Sequence, residues 1–187
     1  MKHIILASNS PRRRELLAGL NLDFEVRVLP GIPENYPRSL PASEVAGFIA
    51  REKADAYREI IGQNDLVVTA DTVVVVGNEI LGKPKDAEDA RRMLRLISGR
   101  IHQVVTGVCL LTADKERCFS VTTDVTFKQL SEEEVTYYIE NYKPFDKAGS
   151  YGIQEWIGYV GVTSISGSYF NVMGLPVQRV WEEIKRL

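Results

Sequence analysis

The sequence predicts a mixed α/β fold, with helices packed on a sheet that holds both parallel and antiparallel strands. Three observations predict it. Helical and strand-like segments alternate along most of the chain. The run Leu66 to Val76 is almost wholly apolar and rich in valine, as a buried strand requires. Two pairs of strand-like runs are separated only by short turns, Gly77-Asn78 and Asp114-Lys115, and such turns join antiparallel neighbours.

The elements follow in order. Residues 3 to 7 read as a strand. Residues 11 to 19 read as a helix, with Ser10 suited to the N-cap, Pro11 to the first helical position and Gly19 to the end. Phe24 to Leu29 alternates as a second strand. Pro30, Gly31, Pro33, Asn35, Pro37 and Pro41 make residues 30 to 41 a long loop, a length that often accompanies function. Residues 42 to 61 form a helix with Val45, Phe48 and Ile49 on one face and Ser43 as its cap. After the buried run, Glu79 to Leu81 returns as a hairpin limb, and residues 86 to 98 form a helix. Gln103 to Thr112 and Arg117 to Phe127 are strands, and residues 131 to 142 are a helix opened by Ser131. Tyr159 to Ile165 is a strand, and a last helix follows Pro176.

Bulk properties limit the function. The chain has 187 residues, enough for one large domain or two small lobes. A net charge of −2 argues against a nucleic-acid duplex as partner. No apolar run approaches the roughly 20 residues of a membrane-spanning helix, and the short run after Lys2 leads straight into arginines, unlike a signal peptide. Cytoplasm is the expected compartment. Cys109 and Cys118, both in strand-like segments, read as structural thiols rather than a disulfide framework or a metal pair.

Ser8-Asn9-Ser10-Pro11-Arg12-Arg13-Arg14 joins the first strand to the first helix. Arginines in a first helical turn oppose the helix dipole, which favours acids there. An external anion such as phosphate resolves that conflict; a solvated basic face is the alternative. Asp71 interrupts the buried valine run, and a carboxylate there must be paired, hydrogen-bonded or bound to metal. It could hold a divalent cation or take a proton from water; a buried acid satisfied by a lysine is the plainer reading. Gly77 to Pro84 approaches the phosphate-loop pattern but ends in Gly82-Lys83-Pro84. Proline supplies neither a hydroxyl for Mg²⁺ nor an N–H for phosphate, so a P-loop is excluded while Lys83 stays a point charge. Glu52-Lys53 alone reads as a solvated helix face. Gly107 within a strand signals a bulge or close backbone approach. His102 lacks a second histidine at ligand spacing, which disfavours a histidine metal site or a Ser-His-Asp triad. Gly149 and Gly152 let the backbone near a ligand, and Gln154 can donate and accept at a nucleobase edge.

Together these segments resemble the Maf family of nucleoside triphosphate pyrophosphatases. The matching stretches are Ala7 to Arg13, Arg51-Glu52-Lys53-Ala54, Ala70 to Val74, Gly82-Lys83-Pro84, Ser98 to His102, Thr106-Gly107-Val108, Lys147 to Gln154, Gly167-Ser168-Tyr169 and Gly174-Leu175-Pro176. Each is weak alone; the ordered set is specific and covers almost the whole chain. The resemblance implies one Maf-like domain over residues 1–187, an elongated mixed sheet flanked by helices, with two lobes around a deep cleft as in the inosine triphosphate pyrophosphatases. It implies hydrolysis of a nucleoside triphosphate to monophosphate and pyrophosphate, a divalent metal (Mg²⁺ or Mn²⁺), a cytoplasmic location and a homodimer. Asp71 falls on the catalytic proton-accepting position, and Glu34 on an acidic position assisting metal or water, so both are metal-ligand candidates. Ser8, Ser10, Arg13, Lys53 and Lys83 fall on substrate-binding positions. Arg12, Thr72 and Gln154 match the branch acting on dTTP and UTP, with modified pyrimidine triphosphates as further substrates. Tryptophan, glutamine and glutamate mark the 7-methyl-GTP branch. Two other readings compete: a nucleotide-binding regulator of cell division with little turnover, and a nonspecific phosphatase.

Overall fold

The computed structural model describes residues 2–187 as a mixed α/β protein. Strands β1 (His3–Leu6), β2 (Phe24–Val26), β3 (Asp65–Val76), β4 (Glu79–Leu81), β5 (Ile101–Leu111), β6 (Glu116–Phe127) and β7 (Val162–Ser166) form one sheet. Its order is β2-β1-β3-β5-β6-β7, with β4 paired to β3 off this path. β1 runs parallel to β2 and β3, whereas β3–β4 and β6–β7 are antiparallel. The helices are α1 (Pro11–Ala18), α2 (Ala42–Asp55), α3 (Ala87–Ile97), α4 (Glu132–Tyr142), α5 (Trp156–Gly161), α6 (Tyr169–Met173) and α7 (Val177–Ile184).

The chain forms two compact units. Among the described residues, the first holds 2–71, 106–121 and 174–187; the second holds 72–105 and 122–173. In the first, Ile5, Ala7, Ala50, Ala54, Tyr57, Val67, Cys109 and Leu111 form a buried cluster. Full burial of an aliphatic side chain of this size stabilises by about 1.5–3 kcal/mol, so this cluster fixes α2 on the sheet. Thr69 Oγ1 adds a hydrogen bond to the Ala50 carbonyl at 2.6 Å, and Arg51 pairs with Glu116 at 2.8 Å. In the second unit, α3 buries Ala90, Met93, Leu94 and Ile97, and α4 buries Val135, Tyr138 and Ile139. Asp86 caps α3, and Ser131 with Glu134 forms a complete capping box on α4.

Gly107 is the close approach its place in a strand suggests. A methyl group built there would overlap the backbone of Ala46 and Gly47 in α2. Gly107→Ala is therefore expected to cost about 1–3 kcal/mol of stability, measured as a lower urea midpoint.

Several expectations are corrected. The second strand stops at Val26. Beyond it the Tyr57 hydroxyl accepts the Leu29 N–H at 3.0 Å and donates to the Arg27 carbonyl at 2.7 Å, replacing ladder bonds by a side chain. Helix α2 ends at Asp55 rather than residue 61, and turns carry the chain through Tyr57, whose ring enters the core. Ser43 lies inside α2; Pro41 holds the cap position without a side-chain bond. The strand expected from Tyr159 begins only at Val162, because residues 156–161 are helical. There Gly161 lies against Phe127 and Leu130, and its carbonyl accepts the Lys128 N–H at 2.8 Å. Residues 169–173 form a short helix of five residues, too short for a helical period to show in the sequence. Cys109 and Cys118 are a disulfide and not two thiols. Facing positions on the β5–β6 hairpin bring their Cα atoms to 4.1 Å, nearness that sequence spacing alone does not reveal.

Helix α7 is latched to the first unit by Glu183. Its side chain is fully buried and pairs with Arg117 at 2.8 Å, Arg179 at 2.7 Å and Arg186 at 3.0 Å. The Arg117 hydrogen bond holds the Glu183 carboxyl below the usual carboxylate range. A depressed folded-state pKa gives stability that is present above the unfolded value and is lost as pH falls through the folded one. Glu183→Gln is expected to lower Tm at neutral pH, with the gap from wild type narrowing on acidification below about pH 4.

Candidate active site

The carboxyl edge of a parallel strand is where ligands bind in open α/β sheets. β1 opens at that edge into Ala7-Ser8-Asn9-Ser10. Ser10 caps α1 by accepting the Arg13 N–H at 3.4 Å, and Pro11 takes the first turn. The Ser10 N–H donates to Ser8 Oγ at 3.2 Å. Arg13 then folds back over this turn. Its Nη1 lies 3.5 Å from Ser8 Oγ, and its Nε donates to the Gly174 carbonyl at 2.8 Å. Burial pushes the Arg13 guanidinium below its usual range; the charges of Asp71 and Glu34 oppose that shift, and Arg12 adds to it. A guanidinium remains protonated in a protein. Arg13 is thus a cation of fixed direction under the field of two acids and a second arginine.

The acids meet at Lys53. Ala50 and Ala54 turn into the core, which sets Lys53 on the flank of the last turn of α2. Its Nζ stands 2.9 Å from Asp71 Oδ1 and 2.7 Å from Glu34 Oε1. Asp71 comes from β3 and is 13% exposed; Glu34 comes from the proline-rich loop and is 53% exposed. The partly buried acid is therefore satisfied by a lysine, and that lysine is shared with a second carboxylate. Within the first unit the structure brings together Ser8, Ser10 and Arg13 by contact, and Glu34, Lys53 and Asp71 by ion pairs. Arg12 is half-buried on α1.

The remaining predicted residues belong to the second unit. Thr72 follows Asp71 on β3 and is half-buried. Lys83 is exposed in the turn after β4. Gln154 lies in the loop after Gly152, and its Oε1 is buried with no hydrogen-bond partner. The Gly149 N–H donates to the Gly82 carbonyl at 3.1 Å, so the Gln154 loop and the Lys83 turn are tied together.

Sequence reasoning missed three partners. The Gly174 carbonyl orients Arg13. His102 is buried on β5, and its Nε2 shares a hydrogen bond of 2.6 Å with the Tyr151 hydroxyl. Burial pushes this imidazole down to about 4, so it is neutral near pH 7. Tyr138 on α4 accepts the Gly152 N–H; a tyrosine on an amphipathic helix carries no signal of such a contact. A depression of about 490 Å³ between Leu29–Pro33 and Glu52 and Ala56 contains none of the residues of the charged cluster.

A family model described as Maf-like protein matches residues 3–187. The chain is 60% identical over 184 residues to a dTTP/UTP pyrophosphatase of Phocaeicola vulgatus, covering 98% of this chain and 95% of that protein. It is 56% identical to a dTTP/UTP pyrophosphatase of Bacteroides fragilis, with the same coverage. One of Flavobacterium psychrophilum is 53% identical over 178 residues, covering 95% and 91%. The fold is similar to that of a HAM1 protein from Coxiella burnetii, with a TM-score of 0.51 at 13% identity over the whole of both chains.

Proposed function

Because the chain belongs to the Maf family, we propose that it hydrolyses dTTP and UTP to the monophosphate and pyrophosphate, modified pyrimidine triphosphates being further substrates. The observation that carries this reading is the Glu34–Lys53–Asp71 cluster in the field of Arg13. Hydrolysis between the α and β phosphates needs a group to orient and deprotonate water, and fixed cations where the leaving pyrophosphate gathers charge. Asp71 is the proton acceptor, and Lys53 holds its carboxylate in one direction. Arg13, Lys53 and Lys83 meet the phosphate oxygens, with Ser8 and Ser10 as hydroxyl partners. Arg12, Thr72 and Gln154 select the base.

Asp71 and Glu34 also fit a divalent ion. They offer hard oxygen donors, and they already converge on a single positive charge, the Lys53 ammonium. These two residues would hold Mg²⁺ or Mn²⁺, which supplies charge stabilisation to phosphoryl oxygens when bound. The family likeness further supports one functional domain of two lobes over residues 1–187, working in the cytoplasm as a homodimer, which sedimentation would test.

The test of the reaction is product analysis with purified protein, Mg²⁺ or Mn²⁺ and dTTP, UTP, CTP, GTP and 7-methyl-GTP. Pyrophosphate and monophosphate from dTTP and UTP are expected. Inorganic phosphate as first product, or preference for 7-methyl-GTP, would overturn the assignment.

A further inference from the structure

Gln154 is the side chain of its loop read above as selecting the base. Its Oε1 is buried without a partner. Its backbone neighbours, by contrast, are held on both sides. Preceding it, the Gly152 N–H donates to the Tyr138 hydroxyl at 2.9 Å. Following it, the same hydroxyl donates to the Glu155 carboxylate at Oε2. Glu155 Oε1 in turn pairs with Lys147 Nζ at 3.1 Å, and the Glu155 N–H closes the turn on the Gly152 carbonyl at 3.0 Å. One fully buried hydroxyl on α4 therefore brackets the segment 152–155 at both ends.

The loop needs such a bracket. Gly149 and Ser150 both have positive φ, 69° and 63°, and Ser150 is not a glycine. A left-handed serine is sparsely populated and persists only where surrounding contacts over-determine it. Here Tyr151 is bound to His102, Gly149 to Gly82, and Gly152 and Glu155 to Tyr138.

We propose that Tyr138 is a positioning residue for base selection, its hydroxyl setting the direction of Gln154 by joining the Gly152 N–H to the Glu155 carboxylate. This rests on the reading of Gln154 as a base-selecting residue of a pyrimidine triphosphate pyrophosphatase. Tyr138→Phe keeps the ring that α4 buries and removes both hydrogen bonds. Losing a buried hydrogen bond whose partner N–H stays behind corresponds to about a fivefold to 150-fold effect. The variant is therefore expected to raise the KM for dTTP by that factor, with kcat within about threefold, and to narrow the preference for dTTP over CTP and GTP.

The experiment compares wild type, Tyr138→Phe, Gln154→Ala and the double variant. It reads kcat and KM for dTTP, CTP and GTP, the Kd for dTTP by calorimetry in EDTA, and Tm. Because Tyr138 acts through Gln154, the double variant is expected to bind and discriminate no worse than Gln154→Ala. Unchanged KM, Kd and preference in Tyr138→Phe would overturn the proposal. Additive losses in the double variant would overturn it too, as would an equal fall for all nucleotides that tracks Tm. Should Tyr138→Phe fail to fold, Glu155→Ala opens the bracket from its other end and is expected to give the same split. A wild type that binds dTTP without hydrolysing it overturns the catalytic reading and leaves the Kd comparison to decide this one. A wild type that does not bind dTTP overturns both.

Discussion

Asp71→Asn is expected to lower kcat for dTTP hydrolysis by about 10³-fold while changing the Kd for dTTP by only a few fold. The substitution is isosteric, and the amide oxygen can still accept from Lys53 Nζ where Oδ1 now does at 2.9 Å. Geometry is kept, and what disappears is a basic oxygen able to take a proton from water. Removing a general base costs about 10²–10⁴ in rate. Turnover by pyrophosphate release and binding by calorimetry separate the two effects. Wild-type rates in the variant would show that Asp71 serves only to satisfy Lys53.

Lys53→Met is expected to lower kcat/KM for dTTP by about 10²–10³-fold, in the range of losing one fixed stabilising charge. Methionine keeps much of the length of the stem beside Ala50 and Ala54 and deletes the ammonium. The Asp71 and Glu34 carboxylates then face each other without the cation that joins them at 2.9 and 2.7 Å. Like charges at such range repel, so the loop bearing Glu34 is expected to loosen. Steady-state kinetics measures the first effect and amide exchange across residues 30–40 the second. Unchanged kcat/KM would remove Lys53 from the phosphate assignment.

Much of this was legible in the sequence where a residue is expensive in its place. An acid within a valine strand must have a partner, and Asp71 has Lys53. Serine before proline at a strand-to-helix turn reads as a cap, and Ser10 is one. A glycine in a strand signals backbone contact, and Gly107 meets α2. The reading failed where tertiary contacts override local preference. The Tyr57 hydroxyl takes up the backbone groups just beyond the second strand, and no local pattern announces a side chain acting on a segment about 28 residues away. Residues 156–161 contain β-forming tyrosine and valine, yet packing of Gly161 on Phe127 accompanies a helical turn. Lys53 looked like any solvated helix residue, because its two acids come from a strand and a loop that only the folded chain brings near.

The Tyr57 hydroxyl has a consequence for association between copies. β2 lies at one end of the sheet, and an open edge strand presents N–H and C=O groups onto which another chain can add. This edge is three residues long, and directly beyond it the Arg27 carbonyl and Leu29 N–H are already occupied by the tyrosine. A second chain approaching there finds a template too short to register a strand of its own. The same side chain that completes the core thus guards the sheet against growth by strand addition at this edge.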